Sequence, residues 1–583
     1  MGVMALPYPF RLYFHRRNVQ RQGSPAGNFN FCFKDCHGPW SALSSIYRKG
    51  VSMNDTVDPT ATFYKFLSSF PVNMWNTYNQ MISASLEKSR ATQLYWNGIL
   101  KYFHDFIESY AIAVGYFQST EREKIPDTSP WQNLIDYMKL MQLNLQLASG
   151  ALTGSSEIMS EYHMKELTAS FSAFMDTIMG IDDRALASKA ANQADLMERV
   201  VHTYPRAIGD IRSEFGFHFD NGHYEKTAET DRFYLYQVLP LDKTIKVKKK
   251  GKPILVVPPY VLGANVLAFL PGENKSYVHN FAHQGIPTYI RINKDIGATP
   301  AFQTMTGEDD AVDTRYFCEI LKKKHGRTVT LNGYCQGGYN ALCNILSGEL
   351  DGLVDALITC VSPMDGTRSK GLGTFLKSML PQRFNDLRYG TKRLPNGNIV
   401  ADGKLMGWVY KLKAIEDEFP LVSFYRDMIM LSAKNGKEAT INKTVAAIQH
   451  WLRFERVDLP MGITEISFKS YNTPITDDGT LPITLFGRKL NLHRIEEKGL
   501  PWLICYGETD DLVEKETALA PLDYIHAEVS PFPKGHLAIA TSWSNPQSEY
   551  ALHSIFGEKR HRGPVRFQMD LDEPQTKGEK KNG

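Results

Sequence analysis

The chain contains 583 residues, several times the length of a minimal domain, so we expect it to bury more than one hydrophobic core. Hydrophobic residues make up 43% of it and charged residues 22%, which excludes a wholly disordered, collagen-like or disulfide-scaffold protein. The 66 basic and 63 acidic residues give a net charge of +3, so the charge indicates no nucleic-acid partner. Seven cysteines, an odd number without framework spacing, predict free thiols and a cytoplasmic location.

No transmembrane segment is predicted. The most apolar stretch, residues 254–270, is broken by Pro258 and Pro259, so it predicts a strand, a turn and a helix. The arginines near the amino terminus are not followed by an apolar run, so no secretory signal is predicted. Residues 1–52 are interpreted either as an arm or as an artefactual extension upstream of Met53.

A helical pattern covers residues 53–230, which we predict to form a helical amino-terminal domain. Ser129 and Pro130 suit the N-cap and the first turn of one helix. We expect these helices to pack on one another, and a partner-binding surface is the alternative. Two sets of apolar residues recur at helical spacing: Trp131, Leu134, Ile135, Met138, Met141 and Leu145, and Leu94, Ile99, Leu100, Phe103, Phe106 and Ile107.

After about residue 230, short β-branched apolar runs alternate with helical stretches, as in a mostly parallel sheet covered on both faces. We therefore predict an α/β domain over residues 231–556. An aromatic-rich stretch from about 366 to 485 interrupts the alternation and predicts a cap inserted between strands. Residues 557–583, basic and then polar, are predicted to be disordered. The predicted strands cover residues 254–257, 288–292, 328–331, 356–361, 502–506 and 527–530.

Residues 328–345 predict a strand, a tight turn and a helix, and the turn reads Gly333-Tyr-Cys335-Gln-Gly337. Such a turn is a nucleophile elbow, here with cysteine in the place of the usual serine. Its strained backbone requires small residues two positions before and after the nucleophile, which Gly333 and Gly337 supply. The helix amino terminus also favours a thiolate at Cys335. A glycine-rich turn with an idle cysteine is the alternative.

Elbow enzymes place an acid and then a histidine after the nucleophile in chain order. Asp510 follows the predicted strand 502–506 at its carboxyl end, where catalytic groups of open α/β sheets gather, and it is the predicted acid. His536 follows in a glycine-containing loop and is the predicted base. The neighbours Glu508 and Asp511 are alternative acids. The other downstream histidines, which lack such a loop, are His526, His553 and His561.

An oxyanion hole needs backbone N–H groups that point at the developing negative charge. We predict that Gln336, the residue after the nucleophile, supplies one N–H group. Val261, in the turn after the first core strand, is predicted to supply the other. No metal site is predicted, because Cys32, Cys36 and His37 form only half of a zinc-binding pattern.

The elbow and its surroundings resemble the active-site region of polyhydroxyalkanoate synthases, in which a cysteine replaces the lipase serine. The resemblance covers about residues 235–540. It implies an α/β-hydrolase fold with a mostly parallel central sheet, an inserted cap and a helical amino-terminal domain, and a triad of Cys335, His536 and Asp510. The similar segments are Val256-Val-Pro-Pro-Tyr260, Asn274-Lys-Ser-Tyr277, Gly333-Tyr-Cys335-Gln-Gly337-Gly338, Gly507-Glu-Thr-Asp510 and Lys534-Gly-His536.

The resemblance also implies a reaction. It predicts an acyltransferase that polymerises (R)-3-hydroxyacyl-CoA thioesters into a polyester, releases CoA and needs no cofactor. It further implies a homodimer that associates with polyester granules in the cytoplasm. The same triad with water as the acceptor would give a thioesterase or a polyester depolymerase. A granule-associated scaffold with a decayed site is the non-enzymatic alternative.

The chain departs from the family pattern just after the predicted acid. The family usually has a histidine next and a proline shortly afterwards, whereas this chain has Asp511 and Glu514. These departures bear on the chain length of the hydroxyacyl substrate and on the ability to polymerise it. They leave the predicted triad intact.

Overall fold

The computed structural model describes residues 59–379, 382–432, 441–552, 555–556, 561–567 and 569. The arm or extension predicted over residues 1–52 lies outside this part of the chain. Among the described helices, none is long and apolar enough to cross a membrane. The chain forms a helical amino-terminal layer, a central sheet flanked by helices, and a cap inserted between two of the strands.

The strands of the described residues include six that the sequence predicts. In chain order they are β1 (Tyr224–Glu229), β2 (Phe233–Val238), β3 (Ile254–Val257), β4 (Thr288–Asn293), β5 (Val329–Tyr334), β6 (Val354–Cys360), β7 (Thr391–Arg393), β8 (Ile399–Ala401), β9 (Leu459–Pro460), β10 (Thr480–Leu485), β11 (Arg488–Asn491), β12 (Trp502–Gly507), β13 (Glu528–Phe532), β14 (Ile555–Phe556) and β15 (His561–Arg562). The confirmed predictions are β3, β4, β5, β6, β12 and β13.

Eight of these strands form the central sheet, in the order β1-β2-β4-β3-β5-β6-β12-β13. β2 runs antiparallel to both of its neighbours, whereas every pair from β4 to β13 is parallel. β3, β5 and β12 are buried along their whole length. Burial on both faces explains why these strands are recognisable as continuous apolar runs.

Capping residues explain where a helix begins and ends. Thr306 and Asp309 form a capping box at the start of α7, and Gly326 ends that helix with φ +69°. The α-helices of the described residues are α1 (Pro59–Lys124), α2 (Pro130–Ile178), α3 (Ala185–Glu198), α4 (Tyr204–Asp210), α5 (Tyr277–Ala282), α6 (Pro300–Gln303), α7 (Gly307–His325), α8 (Gln336–Leu346), α9 (Leu372–Thr374), α10 (Gly403–Lys413), α11 (Ile415–Glu418), α12 (Pro420–Ser432), α13 (Lys443–Phe454), α14 (Met461–Asn472), α15 (Arg494–Glu497) and α16 (Lys515–Ala518).

The amino-terminal helices share two buried apolar clusters with the cap. The Tyr102 hydroxyl of α1 donates to Asp427 of α12 at 2.6 Å. Ser129 caps α2 as predicted. The prediction of which face of α2 packs on other helices is wrong. The buried face of α2 carries Leu140 and Leu143 instead. The residues of the predicted face that are exposed are Trp131, Leu134, Met138, Met141 and Leu145.

The insertion between β6 and β12 contains the predicted cap. Trp408, Phe424, Tyr425 and Trp451 are buried in it, whereas the side chain of Tyr410 lies outside the described residues. The later part of the insertion, α14 with β10 and β11, buries its apolar side chains in the same core as the central sheet. Val400, Ala401 and Trp451 from the earlier part lie in that core as well, so the insertion is only partly a separate cover.

Residues 561–567 pack where disorder is expected. β14 and β15 pair antiparallel, and Val565 and Phe567 are buried in the core of the central sheet. The prediction of disorder from residue 557 onward is wrong for this segment, because its apolar side chains cover the edge of that core. Residues 570–583 lie outside the described part of the chain.

Candidate active site

Cys335 occupies the turn between β5 and α8, where the sequence predicts the nucleophile. Its backbone has φ 52° and ψ −129°, which side-chain-bearing residues rarely adopt, so the turn is strained. The Cys335 N–H group donates to the Cys360 carbonyl of β6 at 2.8 Å. The N–H group of Gly338 donates to the Cys335 carbonyl at 2.9 Å. Cys335 is 8% exposed, so the thiol lies beneath the surface.

Three glycines allow the elbow to pack against neighbouring atoms. A Cβ atom at Gly333 would lie 2.3 Å from the Cα atom of Gly338, and one at Gly337 would lie 2.4 Å from the Pro258 carbonyl oxygen. A Cβ atom at Gly338 would lie 1.9 Å from the Ser362 hydroxyl oxygen. Both predicted elbow glycines are therefore required sterically. Gly338 was not assigned from the sequence, although the pair of adjacent glycines could have indicated it.

Asp510 follows β12 and is buried beside His536. One carboxylate oxygen accepts the N–H groups of Leu512 and Val513 at 3.0 and 2.9 Å. The other lies 2.9 Å from His536 Nδ1. Both oxygens are thus occupied, so the carboxylate is fixed in the orientation that holds the imidazole. The alternative acids Glu508 and Asp511 are exposed.

His536 lies in the loop after β13 and interacts with both Asp510 and Cys335. Burial lowers the pKa of His536, but the negative charges of Asp510 and of a Cys335 thiolate outweigh it, so its pKa lies well above the ordinary value. His536 Nε2 is buried and makes no hydrogen bond within the described residues. Because Nδ1 faces Asp510, Nε2 is the atom left to exchange a proton with the thiol. Catalytic hydrogen bonds are often long or poorly aligned in substrate-free sites.

The predicted oxyanion donors lie on elements that touch each other. Gln336 is the first residue of α8, so its N–H group has no acceptor within the helix. The turn that leads to Val261 lies against the elbow, because Pro258 contacts Gly337. The Val261 carbonyl accepts the N–H group of Val457 at 3.2 Å. The role of these two N–H groups stays a prediction.

A buried polar network, which the sequence analysis missed, anchors the turn that carries Val261. The Tyr260 hydroxyl donates to Asp310 at 2.5 Å and accepts from Arg291 at 2.7 Å. Arg291 and Asp310 form an ion pair at 2.7 Å, and both side chains are 1% exposed. The amide of Asn344 in α8 donates to the other Asp310 oxygen at 2.7 Å. Arg291, within the otherwise apolar run 288–292, could have indicated this network, because a buried charge needs a partner.

A second group of contacts missed from the sequence joins the cap to the loop of the acid. The carboxylate of Glu514 accepts the N–H groups of Lys370 and Gly371 at 2.5 and 2.7 Å. The ammonium group of Lys413 in α10 donates to the Asp511 carbonyl at 2.7 Å. Glu514, through its side chain, and Asp511, through its backbone, thus both contact the cap.

Two cavities of about 630 and 440 Å³ lie between α1 and the cap. They share Lys404, Trp408 and Arg456 in their walls, and neither is lined by a residue of the predicted triad. With Cys335, Asp510 and His536 all buried, these cavities give no access to the thiol in this conformation.

Of the other downstream histidines, which were not predicted to act, only His526 has a side chain within the described residues. His526 is exposed. His553, the side chain of His561, and the trio of Cys32, Cys36 and His37 lie outside the described residues. Across the described ranges, no group of three or more histidine, cysteine or acidic side chains could hold a metal ion.

No protein-family model matches the chain, and no curated protein matches it. The structure is similar to an α/β-fold family hydrolase from Bacillus anthracis str. Sterne, with 11% identity, a TM-score of 0.28 and coverage of 54% of this chain and 94% of that one. A carboxylesterase from Nitrososphaera gargenis has 10% identity, a TM-score of 0.29 and coverage of 54% and 92%. An α/β-hydrolase from the Mar Chica lagoon metagenome has 14% identity, a TM-score of 0.25 and coverage of 55% and 91%.

The sheet and the elbow themselves define the class of the protein. A mostly parallel sheet carries a strand-turn-helix elbow, and Cys335, Asp510 and His536 follow in the chain order of elbow enzymes. The chain therefore has an α/β-hydrolase fold, with a cysteine at the nucleophile position.

Proposed function

We propose that the protein is a polyhydroxyalkanoate synthase-like acyltransferase that polymerises (R)-3-hydroxyacyl-CoA thioesters. The observation that carries the proposal is a buried cysteine at the elbow, next to a histidine that a buried carboxylate orients. A thiol suits a thioester substrate, because the exchange is nearly isoenergetic and leaves the acyl group activated. The sequence around Cys335 adds the resemblance to this family.

In the acylation step, His536 accepts the proton of the Cys335 thiol, and the thiolate sulfur attacks the carbonyl carbon of the substrate. The negative charge that develops on the oxygen is stabilised by the Gln336 N–H group, with Val261 as the second donor. The bond between carbon and the CoA sulfur breaks, and His536 returns the proton to the leaving thiol. Asp510 stabilises the imidazolium during this exchange.

In the elongation step, His536 accepts the proton of the 3-hydroxyl group of another acyl unit. The hydroxyl oxygen attacks the acyl group on Cys335, an ester bond forms, and the bond from carbon to sulfur breaks. The proton of His536 then returns to the Cys335 sulfur. Water would compete as the acceptor, so the outcome depends on how well the closed cap excludes it.

We place the enzyme in the cytoplasm, at the surface of the polyester granules that it makes, as a homodimer and without a cofactor. The free thiols of the five described cysteines support a reducing compartment.

The test uses the purified full-length chain and 3-hydroxybutyryl-CoA, with free thiol and turbidity followed together. We expect both signals to rise in the wild type. Cys335→Ala should abolish CoA release without unfolding the protein, since a small residue suits the elbow. Cys335→Ser should retain little activity, because a serine hydroxyl ionises far less readily than a thiol.

Free thiol without polymer would instead identify the alternative, a cysteine-dependent thioesterase or polyester depolymerase. CoA release at the wild-type rate by Cys335→Ala would show that another residue is the nucleophile. No thiol release from any 3-hydroxyacyl-CoA would reject the proposed reaction.

A further inference from the structure

The outward side of α2 carries an apolar stripe with coiled-coil spacing. It begins at Trp131 and ends at Leu152, and its positions are separated alternately by three and four residues. Its large side chains are between 49% and 71% exposed. We call this set the outer stripe: Trp131, Leu134, Met138, Met141, Leu145, Ala148 and Leu152.

The opposite side of α2 already has its partners. Leu140 and Leu143 are buried in a cluster with Phe384 and Trp408 of the cap. The helix is thus apolar on two sides, and only one of them is covered within the described residues. Helices that are apolar all round are normally buried, so the outer stripe requires a cover of its own.

The exposed area is of the order that a specific interface needs. The six large side chains of the outer stripe together expose on the order of 800 Å², more than the largest apolar patch of a typical monomer. It is also about one partner's share of a standard protein–protein interface. The outer stripe therefore has the size of a typical specific interface.

Charge distinguishes a second protein copy from an anionic lipid surface. Between Trp131 and Leu152 the charged residues are Asp136 and Lys139, and the stripe is flanked by uncharged, exposed Gln142 and Gln146. Helices that lie on anionic lipid usually carry many lysines and arginines on their polar side. Two identical uncharged stripes, in contrast, meet without electrostatic repulsion.

We propose that the outer stripe is the surface through which two copies of this chain pair, helix α2 against helix α2. The contact is isologous, since the same stripe serves on both chains. The pairing does not depend on the reaction at Cys335, so its test and that of the proposed activity can fail separately.

The first test measures the mass of the full-length chain by sedimentation and light scattering at about 10 µM, well above the Kd of a typical specific pair of this size. We expect twice the chain mass for the wild type and the mass of one chain for Leu145→Glu, which places a charge within the stripe. The matched control is Tyr316→Glu on α7, another exposed apolar residue (44%), which should keep the double mass. Circular dichroism of each variant shows whether the fold is retained.

The second test locates the contact. In Met141→Cys, the new thiols lie at the centre of the two stripes, so a short bis-maleimide should join the two chains. Both proteins also carry Cys32→Ser and Cys36→Ser, and the one without Met141→Cys should not be joined, because its remaining cysteines are buried. A monomeric wild type overturns the proposal. In that case the outer stripe would be covered by another occupant, either residues 1–58 or a phospholipid vesicle. A double mass that survives Leu145→Glu also overturns it.

Discussion

The hydroxyl group of Tyr334 donates a hydrogen bond to the backbone carbonyl of His536 at 2.7 Å. Tyr334 immediately precedes the elbow cysteine, and its ring lies edge-on to the imidazole with 6.1 Å between the ring centroids. The residue beside the predicted nucleophile therefore holds the loop that carries the predicted base. This bond ties the loop of His536 to the end of β5, directly beside the elbow.

We expect Tyr334→Phe to slow CoA release about fivefold and to lower the free energy of unfolding by about 1–3 kcal/mol, because a buried carbonyl loses its donor. The matched control is Tyr339→Phe, since the Tyr339 hydroxyl is buried without a hydrogen-bond partner among the described residues. Its removal should leave both quantities nearly unchanged. Steady-state kinetics and urea unfolding measure the two effects, and equal losses in the two variants would contradict the positioning role.

The central strands and the elbow could be predicted because their signal is local. Residues 254–257 and 502–506 are continuous apolar runs, and Gly333 and Gly337 flank Cys335 at fixed spacing. β1 and β2 were missed: β1 is a half-exposed edge strand with charged residues, and β2 alternates buried with half-buried positions, so neither is a continuous buried run. Local patterns thus define the elements that are buried on both faces.

The contacts between distant segments could not be predicted in the same way. The bonds from Lys370 and Gly371 to Glu514 join segments more than 140 residues apart, and nothing in either segment specifies the other. Periodicity likewise marks the faces of α2, but both its Trp131 side and its Leu140 side are apolar. Which side is covered depends on the cap, and the sequence of the helix does not contain that information.

The choice of Asp510 over its neighbour can be tested directly. We expect Asp510→Asn to lower kcat at least 100-fold, because the amide cannot stabilise the imidazolium. Its side-chain oxygen can still accept the N–H groups of Leu512 and Val513, so the loop should keep its fold. Asp511→Asn should change kcat less than twofold, since its side chain is exposed. Comparable losses in both variants would show that the acid is wrongly assigned.

The raised pKa of His536 predicts a pH dependence of stability. Burial opposes the charged imidazolium, but Asp510 and the Cys335 thiolate favour it more, so the folded pKa exceeds the unfolded value of about 6.5. The resulting stabilisation is fully present below about pH 6.5 and is lost as the pH rises through the folded pKa. We therefore expect His536→Gln to lower the free energy of unfolding more at pH 6 than at pH 9. Urea unfolding of both proteins at the two pH values measures this, and a constant difference would refute it.

The cap should shield Cys335 until it opens. Thiol labelling of Cys335 should be slow in the substrate-free wild type, because the cysteine is buried and Glu514 holds the first loop of the cap. Rapid labelling of the dilute wild type would mean that the site is already open.

Glu514→Ala removes the acceptor of two backbone N–H groups, so we expect Cys335 to be labelled about tenfold faster in this variant. The matched control is Glu516→Ala, which removes only the ion pair with Lys370 at 3.0 Å. Both side chains of that pair are at least half exposed, and such pairs contribute little. Mass spectrometry of the Cys335 peptide measures the labelling rate. The same rate in both variants would show that the Glu514 contact does not hold the cap closed, whereas a faster rate in Glu514→Ala alone links the opening of the cap to the loop of Asp510.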